Sequence, residues 1–109
     1  MSKIATATWT GQSGTEYNFT VYPIGTSFRA VGAVYIFTKR TVSDGTASHK
    51  FIYIGQTDDL STRFDNHHKA NCIARNGANC ISVHMEDSED QRLAIETDLC
   101  RLHDTPCNG

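Results

Sequence analysis

The sequence predicts an α+β fold, a small antiparallel mixed domain, on three observations. Tyr17, Phe19 and Val21 alternate with polar residues, as one face of a strand requires. Two apolar runs, within GAVYIF and FIYIG, are too short for buried helices and suit interior strands. The segments DDLSTRFDNHHKAN and SEDQRLAIETDLCRLHDTP carry helical spacing and helix-end signals. Their order is β-hairpin, β, β, α, β, α.

IATATWTGQSGTEYNFTVYPI is expected to form a β-hairpin with its turn at GQSG. GAVYIFTKR follows as a buried strand, with FIYIG as its antiparallel partner. The polar stretch TKRTVSDGTASHK between them reads as a long loop turning at Asp44-Gly45. In the next segment Asp58 or Asp59 can cap a helix whose stripe carries Leu60, Phe64 and His67, with Arg63 at its edge. GANCISVHM alternates, placing Ile81, Val83 and Met85 on one face. In the last segment Ser88 and Gln91 form a capping box, Glu89 and Asp90 suit the helix N-terminus, and Pro106 stops the helix. Its expected buried stripe is Ile95, Leu99 and Leu102, with Glu96 one turn from Arg92.

The chain has 109 residues, which suits one domain, and its 39% hydrophobic and 20% charged content is ordinary for a globular protein. It contains no apolar run near the roughly 18 residues of a membrane span and no signal-peptide pattern, so a cytoplasmic location is expected. The net charge is −2, but its distribution is uneven. Seven basic and four acidic residues lie between Arg29 and Arg75, against two basic and seven acidic from Glu86 onward. A phosphate-binding face fits the middle segment. The four cysteines are read as free thiols, consistent with a reducing compartment.

Strand phase gathers a group of polar side chains. Tyr35 is expected on a face with Ala33 and Phe37, and Tyr53 on a face with Phe51 and Gly55. Adjacent antiparallel strands can then turn both phenols to the same side. Gly55 leaves room beside them, and Arg63 and His67 stand four residues apart on the following helix.

These residues resemble the core of the GIY-YIG nucleases. The resemblance rests on Ala33-Val34-Tyr35 and Tyr53-Ile54-Gly55, then Arg63 and His67, then Glu96, Pro106 and Asn108 in that order. It runs from about Gly32 to Asn108 and implies a β-β-α-β-α catalytic core over 32–108, with residues 1–28 an additional N-terminal hairpin. Ala33 stands where the family's first motif begins with glycine. Gln56 stands where many relatives carry lysine, leaving Lys39, Arg40 or Lys50 to supply a second cation.

The implied activity is divalent-metal-dependent hydrolysis of phosphodiester bonds, with DNA the expected nucleic acid. Arg63 is permanently charged and can fork onto two phosphate oxygens. Glu96 is an oxygen ligand suited to Mg²⁺ or Mn²⁺, which take one or two carboxylates and fill their remaining positions with phosphate and water. The resemblance casts Tyr35 as the residue that activates water and Tyr53 as its support. A free tyrosine titrates near 10, so this role needs positive charge nearby. His67, as an imidazole, is the alternative base or relay. Lys39, Arg40, Lys50 and Gly55 complete the expected substrate-binding set. The sequence contains no recognisable DNA-reading module, so DNA structure or a specificity partner would direct cleavage.

Two other readings stand beside this one. The same fold could hold nucleic acid without cutting it. Alternatively, His68, Cys72, Cys80 and His84, spaced four apart on a helix and on a strand, could bind zinc in an interaction module.

Overall fold

The computed structural model describes residues 3–62 and 68–108; Arg63 and His67 lie outside the described residues. Its framework is the hairpin of β3 (Ala33–Ser43) and β4 (Thr46–Thr57). Asp44 and Gly45 turn it with φ of 53° and 76°, the doubly positive backbone of a tight two-residue turn. The expected long polar loop is therefore strand up to Ser43 and again from Thr46. It lacks apolar alternation because its outer half is exposed, so burial imposes no pattern there.

β5 (Cys80–Met85) pairs with the other side of β3, and β2 (Glu16–Pro23) pairs with β5. β1 (Ala5–Thr10) completes the antiparallel order β1-β2-β5-β3-β4. The N-terminal hairpin thus extends the sheet. Sheet twist curls the two edge strands towards each other. Trp9 of β1 reaches Phe51 of β4 at 4.9 Å and His49 at 5.3 Å between ring centroids.

Alternation sorts the core into two layers. One face carries Ala33, Tyr35, Phe37, Tyr53, Ile81 and Val83; the other carries Phe19, Val34, Ile36, Phe51 and Ile54. Phe51 departs from the expected phase. The register slips between Phe37 and Thr38, where Phe37 pairs with Tyr53 but Thr38 with Phe51. The extra residue, Ile52, forms a β-bulge that reverses the alternation, sending Phe51 to the face opposite Tyr53.

α2 (Glu89–Leu102) covers the Val34–Ile54 face through Ile95 and Leu99. Full burial of a leucine such as Leu99 contributes about 2 kcal/mol. Ser88 caps α2 by accepting from Gln91 N at 3.3 Å, while Glu86 Oε2 accepts from Ser88 N at 3.1 Å. Leu102 is not part of the buried stripe: it sits in the last turn and is exposed. Arg92 takes a buried position at the other end.

The helix expected from Asp58 differs in its described part. Asp59 accepts from Ser61 N at 2.9 Å in a turn, Leu60 is buried, and α1 occupies Ala70–Arg75. α1 packs on the Tyr35 face through Ile73. Gly77, with φ of 80°, supplies the left-handed residue beyond it, and Asn76 Nδ2 donates to Cys72 O at 2.8 Å. No helix among the described residues is long and apolar enough to cross a membrane.

The reading of all four cysteines as free thiols is overturned. Cys72 of α1 and Cys107 of the C-terminal tail form a disulfide across a Cα separation of 5.8 Å. The pairing depends on the tail returning along β4, where Cys107 N donates to Ile52 O at 3.1 Å. Cys80 and Cys100 remain reduced.

Candidate functional site

The site is built from the register of β3 and β4. Tyr35 lies directly opposite Gly55, and Phe37 directly opposite Tyr53. The two tyrosine rings consequently face the same side, 6.0 Å apart at their centroids and 33° from parallel. Both are buried, Tyr35 fully and Tyr53 to 7% exposure. Gly55 makes the arrangement possible by close approach. A Cβ there would stand 2.6 Å from Tyr35 Oη and 2.8 Å from Tyr53 Cε2. The Tyr35 hydroxyl occupies the notch that a missing side chain leaves.

Further along the same face of β3, Lys39 pairs with Lys50. Lys39 follows Tyr35 and Phe37 at the two-residue period, and its stem passes Gly77 beyond α1, with Nζ 3.8 Å from where a glycine Cβ would lie. Both lysines are exposed. Arg40 alternates to the other face, beside His49 and Cys80. Burial and then Arg40 hold the His49 imidazole below its ordinary range, while burial pushes the Cys80 thiol up and Arg40 partly opposes it. Arg40 therefore leaves the row that contains the tyrosines and the two lysines.

Glu96 lies on α2, and α2 packs chiefly along the edge strand β4 on the face away from the tyrosine rings. The residue is half-buried. Partial burial of the Cys100 sulfur, and then the Glu96 carboxylate one turn before it, raise the Cys100 thiol above its usual range. Arg92, one turn earlier on α2, is committed to structure. Its Nε donates to Gln56 Oε1 at 2.9 Å, and its Nη1 donates to the carbonyls of Glu86 and Asp87 at 3.0 and 2.9 Å. Gln56 thus faces α2 and is engaged by a buried guanidinium.

The structure brings Tyr35, Tyr53 and Gly55 together and aligns Lys39 and Lys50 with them, whereas Glu96, the expected metal ligand, lies on the helix that covers the other sheet face. Arg63 and His67, the expected phosphate clamp and relay, fall in the segment outside the described residues. The four residues of the zinc reading diverge. Cys72 is bonded to Cys107, His84 Nδ1 donates to Asn18 O at 2.8 Å, and His68 packs edge-on to Tyr53 at 6.2 Å. Cys80 sits on the opposite sheet face, paired with Thr38. Among the described residues no group of three or more histidine, cysteine or acidic side chains is placed to hold a metal ion.

Two asparagines, Asn108 of the motif that carries the resemblance and Asn79, which no motif marked, serve the sheet itself. Asn108 exchanges hydrogen bonds with the backbone of Ile54, and Asn79 does the same with Arg40. Each carboxamide replaces one residue of a neighbouring strand where pairing ends. The sequence signal for this role is faint, because asparagine next to a turn is ordinary. The facing of Lys39 and Lys50 depends on strand pairing that the long-loop reading did not contain, although Asp44-Gly45 does favour a tight turn.

Compared with known proteins, the chain matches no family model, no curated relative and no solved structure.

Proposed function

We propose that the protein is a GIY-YIG-type endonuclease that hydrolyses phosphodiester bonds, with DNA as substrate. The observation that carries this reading is the tyrosine pair seated over Gly55, with a lysine pair further along the same sheet face. In this reading Tyr35 takes the proton of the attacking water and Tyr53 orients it. Arg63 holds the scissile phosphate and neutralises the charge that develops on it, with His67 as relay. Lys39 and Lys50 contact phosphates beyond the scissile one.

In this reading Glu96 is the carboxylate that would hold Mg²⁺ or Mn²⁺. This requires its carboxyl, on the helix covering the other sheet face, to reach the tyrosine side past the β4 edge. A single protein carboxylate fits these ions, which keep several waters and use phosphate oxygens. When bound, such an ion would supply Lewis-acid polarisation of the phosphate. Cleavage is directed by DNA structure or by a specificity partner.

The test is incubation of supercoiled plasmid with purified protein and Mg²⁺ or Mn²⁺. Wild type nicks the plasmid, and Tyr35→Phe and Glu96→Ala each reduce the rate about a hundredfold or more. Equal nicking by wild type and Glu96→Ala rules the site out. One observation favours a second reading, a duplex-holding domain that does not cut. Gln56 occupies the position where many GIY-YIG relatives carry lysine, and it is held by Arg92. Binding without nicking under the same conditions establishes that alternative.

A further inference from the structure

Beyond Thr38 the β3–β4 hairpin leaves the sheet. β5 pairs with β3 no further than Thr38 opposite Cys80, whereas β3 and β4 stay paired to Ser43 and Thr46. The result is a projecting two-stranded ribbon. Its register sorts the side chains by face. Lys39 opposes Lys50, Thr41 opposes Ser48, and Ser43 opposes Thr46, all on the side that carries Tyr35 and Tyr53. Every one of these six residues is exposed. The face is thus two ammonium groups followed by four hydroxyls, with no acidic side chain before the turn at Asp44. The reverse side carries Arg40, His49, Val42 and Ala47.

Such a pairing is costly without a partner. Two like charges directly opposite on adjacent strands destabilise a sheet. Among the described residues neither lysine ammonium has a hydrogen-bond or ion-pair partner, the ladder pairing of these residues being through backbone alone. A polyanion relieves the repulsion, and hydroxyls are suited to phosphate oxygens and groove edges.

We propose that this ribbon is a duplex-DNA-binding arm, with its lysine–hydroxyl face laid along one side of the double helix. The arm deepens the nuclease reading and rests on it for the position of the cut. Strands rise about 3.3 Å per residue, so Lys39 stands about 13 Å from Tyr35 and Ser43 about 26 Å. At about 3.4 Å per base pair the lysine pair meets phosphates about four base pairs from the scissile bond. The lysine–hydroxyl face itself spans about 13 Å, or about four base pairs, and its tip lies about eight base pairs from the scissile bond. A two-stranded ribbon is also narrow enough to enter the major groove.

Fluorescence anisotropy with a labelled 24-base-pair DNA duplex, in EDTA so that no cleavage occurs, tests the arm. Wild type binds, and Lys39→Gln/Lys50→Gln weakens binding about tenfold or more. The same variant makes the slope of log affinity against log salt about 1.8 shallower, the share of two phosphates. Lys3→Gln/Arg101→Gln removes the same net charge elsewhere, at two exposed positions outside the basic segment, and leaves both quantities near wild type. Lys39→Thr/Lys50→Thr, with a residue at home in strands, repeats the loss in a second background. Wild-type binding by both lysine variants overturns the proposal, as does equal loss in the Lys3/Arg101 control. It is also overturned if the wild type binds no duplex, or prefers a single strand or an RNA duplex of the same sequence. Plasmid nicking is scored separately. Lysine-dependent binding without nicking leaves the arm standing and removes the nuclease, whereas nicking with binding unchanged in the lysine variants does the reverse.

Discussion

Asn108 and Ile54 exchange two hydrogen bonds: Ile54 N donates to Asn108 Oδ1 and Asn108 Nδ2 donates to Ile54 O, each at 2.8 Å. Ile54 sits between Tyr53 and Gly55 on the edge strand, where an unpaired backbone would be open to solvent or to another chain. The carboxamide completes the ladder at the one residue whose neighbours form the site. Replacing Asn108 by Ala removes both bonds and is expected to cost about 2 kcal/mol. Asn108→Asp keeps the acceptor but sets a carboxylate oxygen against the Ile54 carbonyl, and is expected to cost at least as much as the alanine. Urea denaturation measures both, and a wild-type midpoint for Asn108→Ala removes the clamp from this account.

Gly55 is fixed by space rather than by backbone conformation. Its Cβ would collide with the Oη and Cζ of Tyr35 and with the ring of Tyr53, all closer than 3 Å. Both rings are buried and cannot swing clear. Gly55→Ala is therefore expected to cost about 1–3 kcal/mol by overpacking. Adding Tyr35→Phe removes the nearest atom and recovers part of that cost, so the two substitutions are non-additive. A double-mutant cycle measured by thermal melting checks this, and strict additivity contradicts the contact.

Asp98 pins the N-terminal hairpin to α2. It accepts from Ser13 N at 2.8 Å, from Ser13 Oγ at 2.7 Å and from Tyr17 Oη at 2.7 Å, while Gln12 N donates to its carbonyl. The Tyr17 hydroxyl, the Ser13 hydroxyl and the Ser13 amide, in that order, hold its carboxyl below the usual range. A carboxyl depressed in the folded state stabilises the fold above its unfolded pKa, near 3.9. That contribution is lost as pH falls through the lower folded value. Acid titration below about pH 4 should therefore loosen the Gly11–Thr15 turn first. Asp98→Asn should loosen it at neutral pH and flatten the acid dependence. Amide exchange at Ser13 and Thr15 reports both effects, and identical profiles for wild type and Asp98→Asn would refute the pin.

Much of the sheet was legible because burial imposed an alternating pattern on it. Phe19 and Val21 are buried, and Tyr35 shares its face with Ala33 and Phe37 as alternation implies. The phase of Phe51 was not legible, since Phe51-Ile52-Tyr53-Ile54 is apolar at every position and such a run conceals a bulge. Arg92 was unreadable for the opposite reason. A charged residue is ordinarily assigned to the surface, yet three acceptors here satisfy its guanidinium below the sheet edge. The tyrosine pair of the site was legible from strand phase and motif order together, whereas the lysine pair needed the length of the hairpin. Its polar, exposed strands carry little of the pattern that marks a buried one.

The disulfide depended on a tertiary contact that no spacing rule contains. Cys72 follows the segment that bears Arg63 and His67, and Cys107 adjoins the asparagine that clamps Ile54. The bridge therefore ties the tail along β4 to the helix packed on the tyrosine face. Its sequence separation is 35 residues, for which loop-closure entropy gives about 4 kcal/mol as an upper estimate. Alkylation of protein unfolded without reductant should label Cys80 and Cys100, and prior reduction should add Cys72 and Cys107. Reduction, or Cys72→Ser/Cys107→Ser, should lower the denaturation midpoint by an amount equivalent to about 2–4 kcal/mol. Four labelled cysteines without reduction would show that the bond does not form. A midpoint insensitive to reduction, with only Cys80 and Cys100 labelled beforehand, would show that the tail is held by its hydrogen bonds to Ile52 and Ile54 instead.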